Sequence, residues 1–356
     1  MAALEAALLA WYVGARRAMP WRETRDPYAI WLSEVMLQQT RVETVIPYYL
    51  RFLRTYPTVH TLAEAPLDDV LTMWSGLGYY RRARMLHAAA QHVSRALAGA
   101  FPATAEGLRT IKGIGPYTAG AVASIAFGAR AALVDGNVAR VLARLFAIED
   151  DVRAGAGLQR AWKIADAIVP AAEPGAWNQA LMELGSTVCV PREPRCEVCP
   201  VREYCAAHAR GIARDLPRMK PKPKPTLHAR VAVVATLRGD VLLARRRVDG
   251  RFGGMWEPPM LDADDARSES ESAVALGVLL GVPLRGAAPA GAVTHVLSHR
   301  RMEIQVLRAR LGHAPGKAMP TAGGEYDAFA CVAPDAFGAR GLTRLARKVL
   351  AAAGFP

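Results

Sequence analysis

Apolar residues recur at intervals of three and four positions through most of the first 170 residues of the chain. This spacing places them on one face of an α-helix, so it predicts a series of helices that each bury one side. The predicted helical stretches are 4–13, 30–37, 42–52, 70–74, 119–127, 138–145 and 162–169. The first part of the chain is therefore expected to be all-helical.

The pattern changes after residue 230, where the apolar runs become shorter and turn residues separate them. The stretches 231–237 and 241–244 are joined by Arg238-Gly239-Asp240, which predicts a β-hairpin. The other predicted elements are strands at 293–297 and 302–307 and a closing helix at 342–352. The expected fold class is mainly α, with an all-helical domain followed by a smaller α+β domain.

Proline alternates with lysine between these two parts, in the segment 217–225. Alternating proline excludes a helix or a central strand and favours an extended, semi-rigid linker. The positive charge of this linker fits either a solubilising spacer or a contact to phosphates. The predicted organisation is a helical domain at 1–212, a basic linker at 213–227 and an α+β domain at 228–356.

Composition narrows the class of protein. Hydrophobic residues make up 52% of the 356 residues and charged residues 22%, which excludes a disordered chain. No window approaches the roughly 20 uncharged apolar residues that a membrane span needs. Glu5 precedes Arg16 and Arg17 at the N-terminus, the reverse of the charge order in a secretory signal. We expect a soluble, cytoplasmic protein with no membrane association, and its net charge of +13 suggests a polyanionic partner.

Four of the five cysteines lie in one short segment with the spacing C-x6-C-x2-C-x5-C. They are Cys189, Cys196, Cys199 and Cys205. Four thiolates this close suit a tetrahedral zinc ion or an iron–sulfur cluster, and spacing alone leaves the two comparable. Two disulfides are the third alternative, although disulfides are rare inside cells. Cys331 stands apart and is expected to be a buried structural thiol.

A glycine turn, Gly113-Ile114-Gly115, separates two stretches with helical patterns. Glycine lets the backbone turn tightly and approach a ligand closely. Pro116 suits the first position of the next helix, and the helix-start amides from Tyr117 onward can receive a phosphate. A simple turn is the alternative. With its flanking helices, the segment 104–127 resembles a helix–hairpin–helix, a clamp on the DNA backbone that does not depend on sequence.

Two carboxylates occupy unusual positions. Asp135 stands where a helix is predicted to start, so it is either only an N-cap or a carboxylate that stays ionised and can stabilise a developing cation. Glu34 interrupts an apolar helical run, and Gln38 lies on the same helical face. A surface position is one interpretation of Glu34; burial would instead raise its pKa and prepare a general acid. One ionised and one protonatable carboxylate are what glycosidic cleavage needs.

Together these features resemble the helix–hairpin–helix DNA glycosylase superfamily and, within it, the MutY-type adenine DNA glycosylases. The matching strings are at 20–21, 32–40, 76–80, 113–115 and 134–138, together with the four-cysteine loop at 189–205. The resemblance is strong over residues 11–210 and weaker over the second domain. It decides between the metal alternatives, because it implies a [4Fe–4S] cluster on the four cysteines.

The resemblance also implies removal of adenine mispaired with 8-oxoguanine or guanine in double-stranded DNA. Glu34 would protonate N7 of the adenine and then assist water, and Asp135 would stabilise the oxocarbenium-like sugar. Tyr117 and Asn137 would orient these two carboxyl groups. Because the reacting base must leave the duplex stack, a pocket and a wedge are also implied.

The pocket for the flipped adenine would be lined by Arg22, Leu37, Gln179 and Glu183. Gln39 and Tyr79 would fill and wedge the base stack. Ordinary core packing is the alternative for Leu37 and Tyr79, and a surface ion pair is the alternative for Arg22. We expect a monomer that associates with the bacterial nucleoid through DNA.

The second domain resembles the Nudix-like domain that ends MutY proteins, on the string 253–259. The stretch 268–273 lacks the R-E-x-x-E-E pattern of a catalytic Nudix helix, so pyrophosphatase activity is not expected. MutY proteins contact 8-oxoguanine with a Phe-Ser-His string, which here is Leu297-Ser298-His299. Leucine can wedge but stacks less well than an aromatic ring. An ordinary strand is the alternative interpretation.

Two other functions fit part of the pattern. An endonuclease III-type enzyme would carry a Schiff-base lysine just after the hairpin, but that position is Tyr117, and Lys112 lies on the other side of the glycine turn. The chain is therefore predicted to have weak or no lyase activity. A non-enzymatic iron–sulfur scaffold or redox sensor would explain the hairpin and the cysteines but not Glu34 and Asp135.

Overall fold

The structure is a computed structural model that describes residues 1–219, 224–263, 268–297, 299–314 and 324–356. Its contacts divide the chain into two compact units, which are described separately. The first unit contains residues 1–64 and 88–221, and the second contains 65–87 and 222–356. The predicted domain boundaries remain a prediction; the grouping of 65–87 with the C-terminal residues was not anticipated. Among the described residues, no helix is long and apolar enough to span a bilayer.

The helices are α1 (Ala2–Ala15), α2 (Pro27–Leu37), α3 (Val42–Thr55), α4 (Val59–Glu64), α5 (Leu67–Trp74), α6 (Arg81–Ala96), α7 (Ala105–Arg109), α8 (Pro116–Phe127), α9 (Gly136–Leu145), α10 (Gly155–Ile168), α11 (Pro174–Thr187), α12 (Ala206–Ala209), α13 (Glu269–Leu280) and α14 (Arg344–Ala352). Every helical stretch predicted from the sequence coincides with one of them. The mainly α fold class is confirmed.

Local sequence explains where the helices that carry the candidate site begin. Asp26 caps α2, since its carboxylate accepts hydrogen bonds from the Tyr28 and Ala29 amides at 3.0 and 3.3 Å. Pro27 and Pro116 occupy the first positions of α2 and α8. The core of the first unit is built from apolar faces of α1, α8, α9, α10 and α11. Three of these helices, α8, α9 and α11, also carry candidate site residues.

The second unit contains a sheet whose described part has seven strands. They are β1 (Thr226–Leu237), β2 (Asp240–Arg246), β3 (Trp256–Glu257), β4 (Met260–Asp262), β5 (Leu284–Leu297), β6 (Arg300–Leu311) and β7 (Tyr326–Val332). The main path has the order β3-β2-β1-β6-β5, with β4 paired to β1 and β7 to β2. β1 and β6 run parallel, and the other pairs are antiparallel. The predicted hairpin is confirmed, since Thr236 pairs with Val241.

One helix covers each face of this sheet. Ala232 and Val234 of β1 pack into a cluster that includes α14, whereas Val231 and Val233 pack into a cluster that includes α13. This alternation follows from the two-residue period of a strand. The unit is therefore an α+β sandwich, as the sequence predicted.

Two long helices were missed by the hydrophobic pattern. α6 is rich in alanine and arginine, and its buried face consists largely of small residues such as Ala83 and Ala90. α11 is buried on more than one side, because Asn178 and Glu183 are buried in addition to the apolar face of Trp177, Leu181 and Leu184. A helix without a clean apolar stripe gives little periodic signal.

Candidate active site and cysteine cavity

Glu34 lies in the middle of α2 and is only 4% exposed. The Tyr117 hydroxyl, at the start of α8, donates a hydrogen bond to Oε2 of Glu34. The same hydroxyl lies 3.6 Å from the Met182 sulfur atom on α11. Three helices therefore meet at the Tyr117 hydroxyl, and the burial of Glu34 excludes the alternative of a surface glutamate.

Burial raises the pKa of Glu34 from 4.5 to about 7. The hydrogen bond from Tyr117 acts in the opposite direction, because it stabilises the carboxylate; the negative charge of Asp135 adds to the rise, and the positive charge of Arg22 opposes it. A carboxyl group with such a pKa can hold a proton near neutral pH and give it up. That is the property required of a general acid.

Asp135 is the N-cap of α9. Its Oδ1 accepts a hydrogen bond of 2.7 Å from the Val138 amide, and its Oδ2 accepts one of 3.1 Å from the Asn137 side-chain amide. The N-cap interpretation is therefore correct. The functional interpretation is compatible with it, because two donors hold the carboxylate in one orientation.

The pKa of Asp135 is raised by burial, and its hydrogen bonds from Val138 and Asn137 oppose that rise. The sequence interpretation considered only the helix-start amides, which favour the ionised form. The structure adds the desolvation that they must offset. The negative charge of Asp135 raises the pKa of Glu34, and the charges of both raise the pKa of Tyr117, so the structure brings these three groups into one site.

Arg22 and Glu183 form a buried ion pair, with Nη2 of Arg22 2.7 Å from Oε2 of Glu183. Nε of Arg17 also lies 2.6 Å from Oε1 of Glu183. Burial opposes ionisation of Glu183, but the hydrogen bonds from the two arginines lower its pKa. The ion-pair alternative for Arg22 is therefore partly right, except that the pair is not on the surface.

The other two residues predicted to line the pocket, Gln179 and Leu37, both lie on helices. Gln179 is on α11, and its Oε1 accepts a hydrogen bond of 3.4 Å from the Tyr12 hydroxyl. The Arg22 guanidinium lies 5.5 Å from the centre of the same tyrosine ring. Leu37 is the last residue of α2 and is half-buried. Tyr12 thus connects Gln179 to Arg22, and this role was not visible in the sequence.

Gln39 and Tyr79, the two residues expected at the base stack, both have left-handed backbones, with φ of 57° and 50°. This conformation is uncommon for residues other than glycine and concentrates at functional positions. Tyr79 is 47% exposed and Gln39 is also exposed. Exposure speaks against core packing as the explanation of Tyr79.

The glycine turn is arranged as a helix–hairpin–helix between α7 and α8. Gly113 has a φ of +102°, which explains the need for glycine. Gly113 and Gly115 are exposed, but the Ile114 side chain is buried and its amide donates to the Ile111 carbonyl at 3.0 Å. Ile114 therefore anchors the turn, and its amide is already engaged.

The four cysteines of the loop at 189–205 are not joined by disulfides and line a single cavity of about 30 Å³. Arg144, Arg195 and Arg202 also line it. Nη1 of Arg144 lies 3.3 Å from the Cys189 sulfur atom. Among the described residues, no three His, Cys, Asp or Glu side chains form a group that could hold a metal ion. The structure therefore gives no support to the alternative of two disulfides among these cysteines.

Two buried arginines of α9, missed by the sequence analysis, connect Asp135 and its neighbours to the cysteine loop. Arg140 donates to Oδ1 of Asn137 at 2.9 Å and to the Cys189 carbonyl at 2.9 Å. Arg144, one turn further on, donates to the Val190 carbonyl at 2.7 Å. The sequence did contain a pattern that could have identified them, because two arginines four residues apart interrupt an otherwise apolar helical face.

The predicted 8-oxoguanine string lies at the end of β5. Leu297 is half-buried and packs in part against the sheet core, which favours the ordinary-strand alternative for part of its surface. His299 is exposed, and its carbonyl accepts a hydrogen bond from the Thr226 amide at 3.1 Å. Ser298 lies outside the described residues, as does the linker segment 220–223.

Comparison with known proteins agrees with this arrangement. Residues 32–165 match the family model of the HhH-GPD superfamily of base excision DNA repair proteins, and residues 230–352 match a NUDIX domain. A solved structure of a thermostable thymine-DNA glycosylase has 29% identity and a TM-score of 0.53, and the match covers 58% of this chain and 95% of that one. The fold and the site therefore define a helix–hairpin–helix DNA repair protein with an additional Nudix-like domain.

Curated relatives narrow this class. The adenine DNA glycosylase of Mus musculus is 36% identical over 371 residues, covering 88% of this chain and 72% of the mouse protein. That of Homo sapiens is 35% identical, covering 89% of this chain and 69% of the human protein. The chain belongs to the adenine DNA glycosylase family of the MutY type.

Proposed function

We propose that this protein excises adenine mispaired with 8-oxoguanine or guanine, by hydrolysing the N-glycosidic bond after the adenine has left the duplex. The observation that carries the proposal is the pair of carboxyl groups in unlike surroundings. Glu34 has a pKa near 7 because it is buried, whereas Asp135 is held by two hydrogen-bond donors. Glycosidic cleavage uses one carboxyl as acid and one as a stabilising carboxylate.

In the proposed reaction, the Glu34 carboxyl gives its proton to N7 of adenine. The bond between C1′ and N9 then breaks, its electron pair leaves with the base, and positive charge develops on the sugar. The Asp135 carboxylate stabilises that charge. Water adds to C1′ and loses a proton to the Glu34 carboxylate, which restores the starting state.

Tyr117 and Asn137 keep these groups oriented. Tyr117 donates to Glu34, and Asn137 donates to Asp135 at 3.1 Å. The flipped adenine would occupy a pocket lined by Arg22, Leu37, Gln179 and Glu183, with Gln39 and Tyr79 filling the stack. The paired Arg22 and Glu183 offer fixed hydrogen-bonding groups at such a pocket.

The enzyme is proposed to be monofunctional, with weak or no lyase activity. A lyase needs an amine that can attack the sugar. Tyr117 stands where the lyase family has its lysine, and Lys112 is an exposed residue of the hairpin turn.

The proposed cofactor is a [4Fe–4S] cluster held by Cys189, Cys196, Cys199 and Cys205. The chemistry of the donors supports the proposal, because four free thiols line one cavity and Arg144 can balance the negative charge of thiolate ligands. Binding would have to draw the thiols closer together, since in the described residues they do not form a group that could hold a metal ion. When bound, such a cluster supplies a rigid, redox-capable cross-link of the loop. Zinc is the competing occupant, since it also accepts four thiolates.

The second domain is proposed to recognise the base opposite the adenine, with Leu297, Ser298 and His299 as its contacts. The first domain contributes the hairpin residues Gly113 and Gly115 to the DNA backbone, and Ile114 secures the turn. The protein is proposed to act as a monomer in the bacterial cytoplasm, on nucleoid DNA.

A base-release assay tests the activity. Duplexes that differ only at the base opposite one adenine (8-oxoguanine, guanine or thymine) are incubated with excess protein. We expect adenine release from the first two duplexes and none from the third, with no strand cleavage before alkali. Strand cleavage without alkali would instead support a lyase, and no release from any duplex would contradict the proposed function.

A metal analysis tests the cofactor. Purified protein should contain iron and sulfide, and Cys199→Ser should lose both. Cys331→Ser is the matched control, because Cys331 lies on β7 outside the cysteine loop. One zinc per chain and no sulfide would refute the cluster.

A further inference from the structure

The second unit contains more than the Nudix-like sheet, because residues 65–87 belong to it. This segment comprises α5, the first turns of α6 and the residues between them. Of these connecting residues, 76–80 are called the wedge turn, since they include Tyr79. The sheet and the wedge turn are thus parts of one compact unit.

The backbone of the wedge turn adopts conformations that are uncommon for residues other than glycine. Gly76, Gly78 and Tyr79 all have positive φ, of 101°, 73° and 50°. For tyrosine this conformation is unfavourable, and it persists only when the surroundings hold it. The surroundings of Tyr79 therefore determine whether its exposed ring stays in place.

Part of that support is local. The Trp74 indole donates to the Gly78 carbonyl at 3.1 Å, and Arg82 donates to the same carbonyl at 3.2 Å. The Arg82 guanidinium lies 5.3 Å from the centre of the Trp74 ring and 5.5 Å from that of Tyr79. These contacts fix the turn to its own flanking helices but not to the sheet.

The attachment to the sheet comes from residues at or next to the two ends of the turn. Arg84, one turn into α6, donates from Nη1 to the Gly253 carbonyl at 2.8 Å. On the other side, the Ser75 hydroxyl donates to the Leu342 carbonyl. Tyr80 packs edge-on against Phe252, with ring centres 6.4 Å apart. Both ends of the turn are therefore held by the Nudix-like part of the unit.

The loop that receives Arg84 fits closely against α5. Gly254, the residue after the acceptor carbonyl, has a φ of +78°, and a Cβ there would lie 2.6 Å from Cδ1 of Leu71. Phe252 also has a left-handed backbone, with φ of 55°. Such a loop has one well-defined position, so a hydrogen bond to it transmits that position to α6.

We propose that Arg84 is a positioning residue for Tyr79, and that through it the Nudix-like sheet controls wedge insertion opposite the excised base. The inference rests on the proposed function. It means that discrimination of the opposite base depends on the wedge turn as well as on the string at 297–299. Loss of the Arg84 hydrogen bond should loosen the α6 end of the wedge turn, and with it Tyr79, without changing Glu34 or Asp135.

The test is a double-mutant cycle with Arg84→Ala and Tyr79→Ala. Single-turnover release is measured on duplexes with adenine opposite 8-oxoguanine or guanine. Arg84→Ala should reduce the preference for 8-oxoguanine about fivefold to tenfold, the size of a typical coupling between neighbouring groups. In the Tyr79→Ala background the same change should have almost no effect. Arg84→Lys, which keeps a donor, should restore part of the preference.

Arg81→Ala is the matched control. Arg81 is exposed, and its substitution removes the same charge from the same helix. The proposal is overturned if Arg81→Ala lowers the preference for 8-oxoguanine as much as Arg84→Ala does. It is also overturned if the fold-reductions of Arg84→Ala and Tyr79→Ala multiply in the double variant. Should Arg84→Ala fail to fold, Arg84→Gln replaces it in the cycle with the same expectation.

A binding readout separates this proposal from the proposed function. A 2-aminopurine beside the 8-oxoguanine reports stacking when protein binds, even without excision. The change that Tyr79→Ala abolishes should also be lost in Arg84→Ala and kept in Arg81→Ala. If wild-type protein releases no adenine, the proposed function fails, while this fluorescence comparison still decides whether Arg84 positions Tyr79. An unchanged signal in Arg84→Ala contradicts the proposal.

Discussion

The surroundings of Glu34 and Asp135 differ although both side chains end in a carboxyl group. Glu34 sits inside an apolar helix, 4% exposed, with a tyrosine hydroxyl as its hydrogen-bond donor. Asp135 begins a helix and receives both a backbone and a side-chain amide hydrogen. Burial raises both pKa values; it brings that of Glu34 to about 7, whereas for Asp135 the hydrogen bonds from Val138 and Asn137 oppose the rise.

This difference shows that one fold can place two carboxyl groups in surroundings that affect their ionisation differently. Desolvation disfavours charge, and amide donors favour it, so the balance between the two decides which role a carboxyl group can take. The helix interior offers few donors, whereas the helix start offers several. The positions of Glu34 and Asp135 within their helices therefore matter as much as their chemistry.

Removing the proton donor should have the largest effect. Glu34→Gln should lower single-turnover adenine release by about 10²- to 10⁴-fold, the usual contribution of a general acid. Duplex affinity should stay within a few-fold, because the isosteric amide preserves the packing. The control is Glu43→Gln, since Glu43 is exposed on α3. Near-normal release by Glu34→Gln would remove Glu34 from the mechanism.

Removing the charge on Asp135 should cost about 10²- to 10³-fold in the same assay, the usual cost of losing one stabilising electrostatic group. Asp135→Asn should still bind mispaired DNA, so affinity is measured beside the rate. If Asp135 only supported the folded structure, Asp135→Asn would lose DNA binding and adenine release together. That outcome would contradict the separation of roles.

Protein stability gives an independent measure of the Glu34 environment. Because its folded pKa lies above 4.5, the native protein holds a proton that the unfolded chain releases between pH 4.5 and 7. This contribution, about 3 kcal/mol, is present below pH 4.5 and is lost as the pH rises to 7. Glu34→Gln should therefore be more stable than wild type at pH 8 and not at pH 4. Denaturant unfolding at pH 4 and pH 8 measures the difference in unfolding free energy between the variant and wild type. The same difference at both pH values would contradict the raised pKa.

A packing change can disturb the Asp135 side alone. A Cβ at Gly185 on α11 would lie 2.8 Å from Cβ of Asn137, so Gly185→Ala should push Asn137 away from Asp135. We expect a loss of about 1–3 kcal/mol in stability and a smaller loss of activity than for Asp135→Asn. The matched control is Gly14→Ala on α1, where a Cβ meets nothing within 4 Å. Equal effects of the two variants would show that Gly185 has no special contact.

The sequence predicted the positions of Glu34 and Asp135 in their helices, because each stands out locally. An acid in an apolar helical run and an aspartate before a helix are visible one segment at a time. The hydrogen-bond partner of Glu34 was harder to predict from the sequence. Tyr117 was named through family resemblance, and its direct contact with Glu34 depends on the packing of α2 against α8.

The arginine contacts could not be predicted for a related reason. Arg140 and Arg144 donate largely to backbone carbonyls about 45 residues away, at Gly185, Cys189 and Val190. A carbonyl leaves no mark in the sequence that identifies it as an acceptor. Likewise Arg17 reaches Glu183 across 166 positions. Long-range polar contacts become visible only once the helices are packed.

The central claim, that a protonated Glu34 starts base release, is tested most directly by the pH dependence of kcat/KM for adenine release opposite 8-oxoguanine. This parameter reports the free enzyme's essential acid. For wild type it should fall about tenfold per pH unit above about 7, following the pKa of Glu34. Tyr117→Phe should move this fall to higher pH, because the hydrogen bond that favours the carboxylate is gone. Residual activity of Glu34→Gln should lack the fall, and the same fall in that variant would contradict the claim.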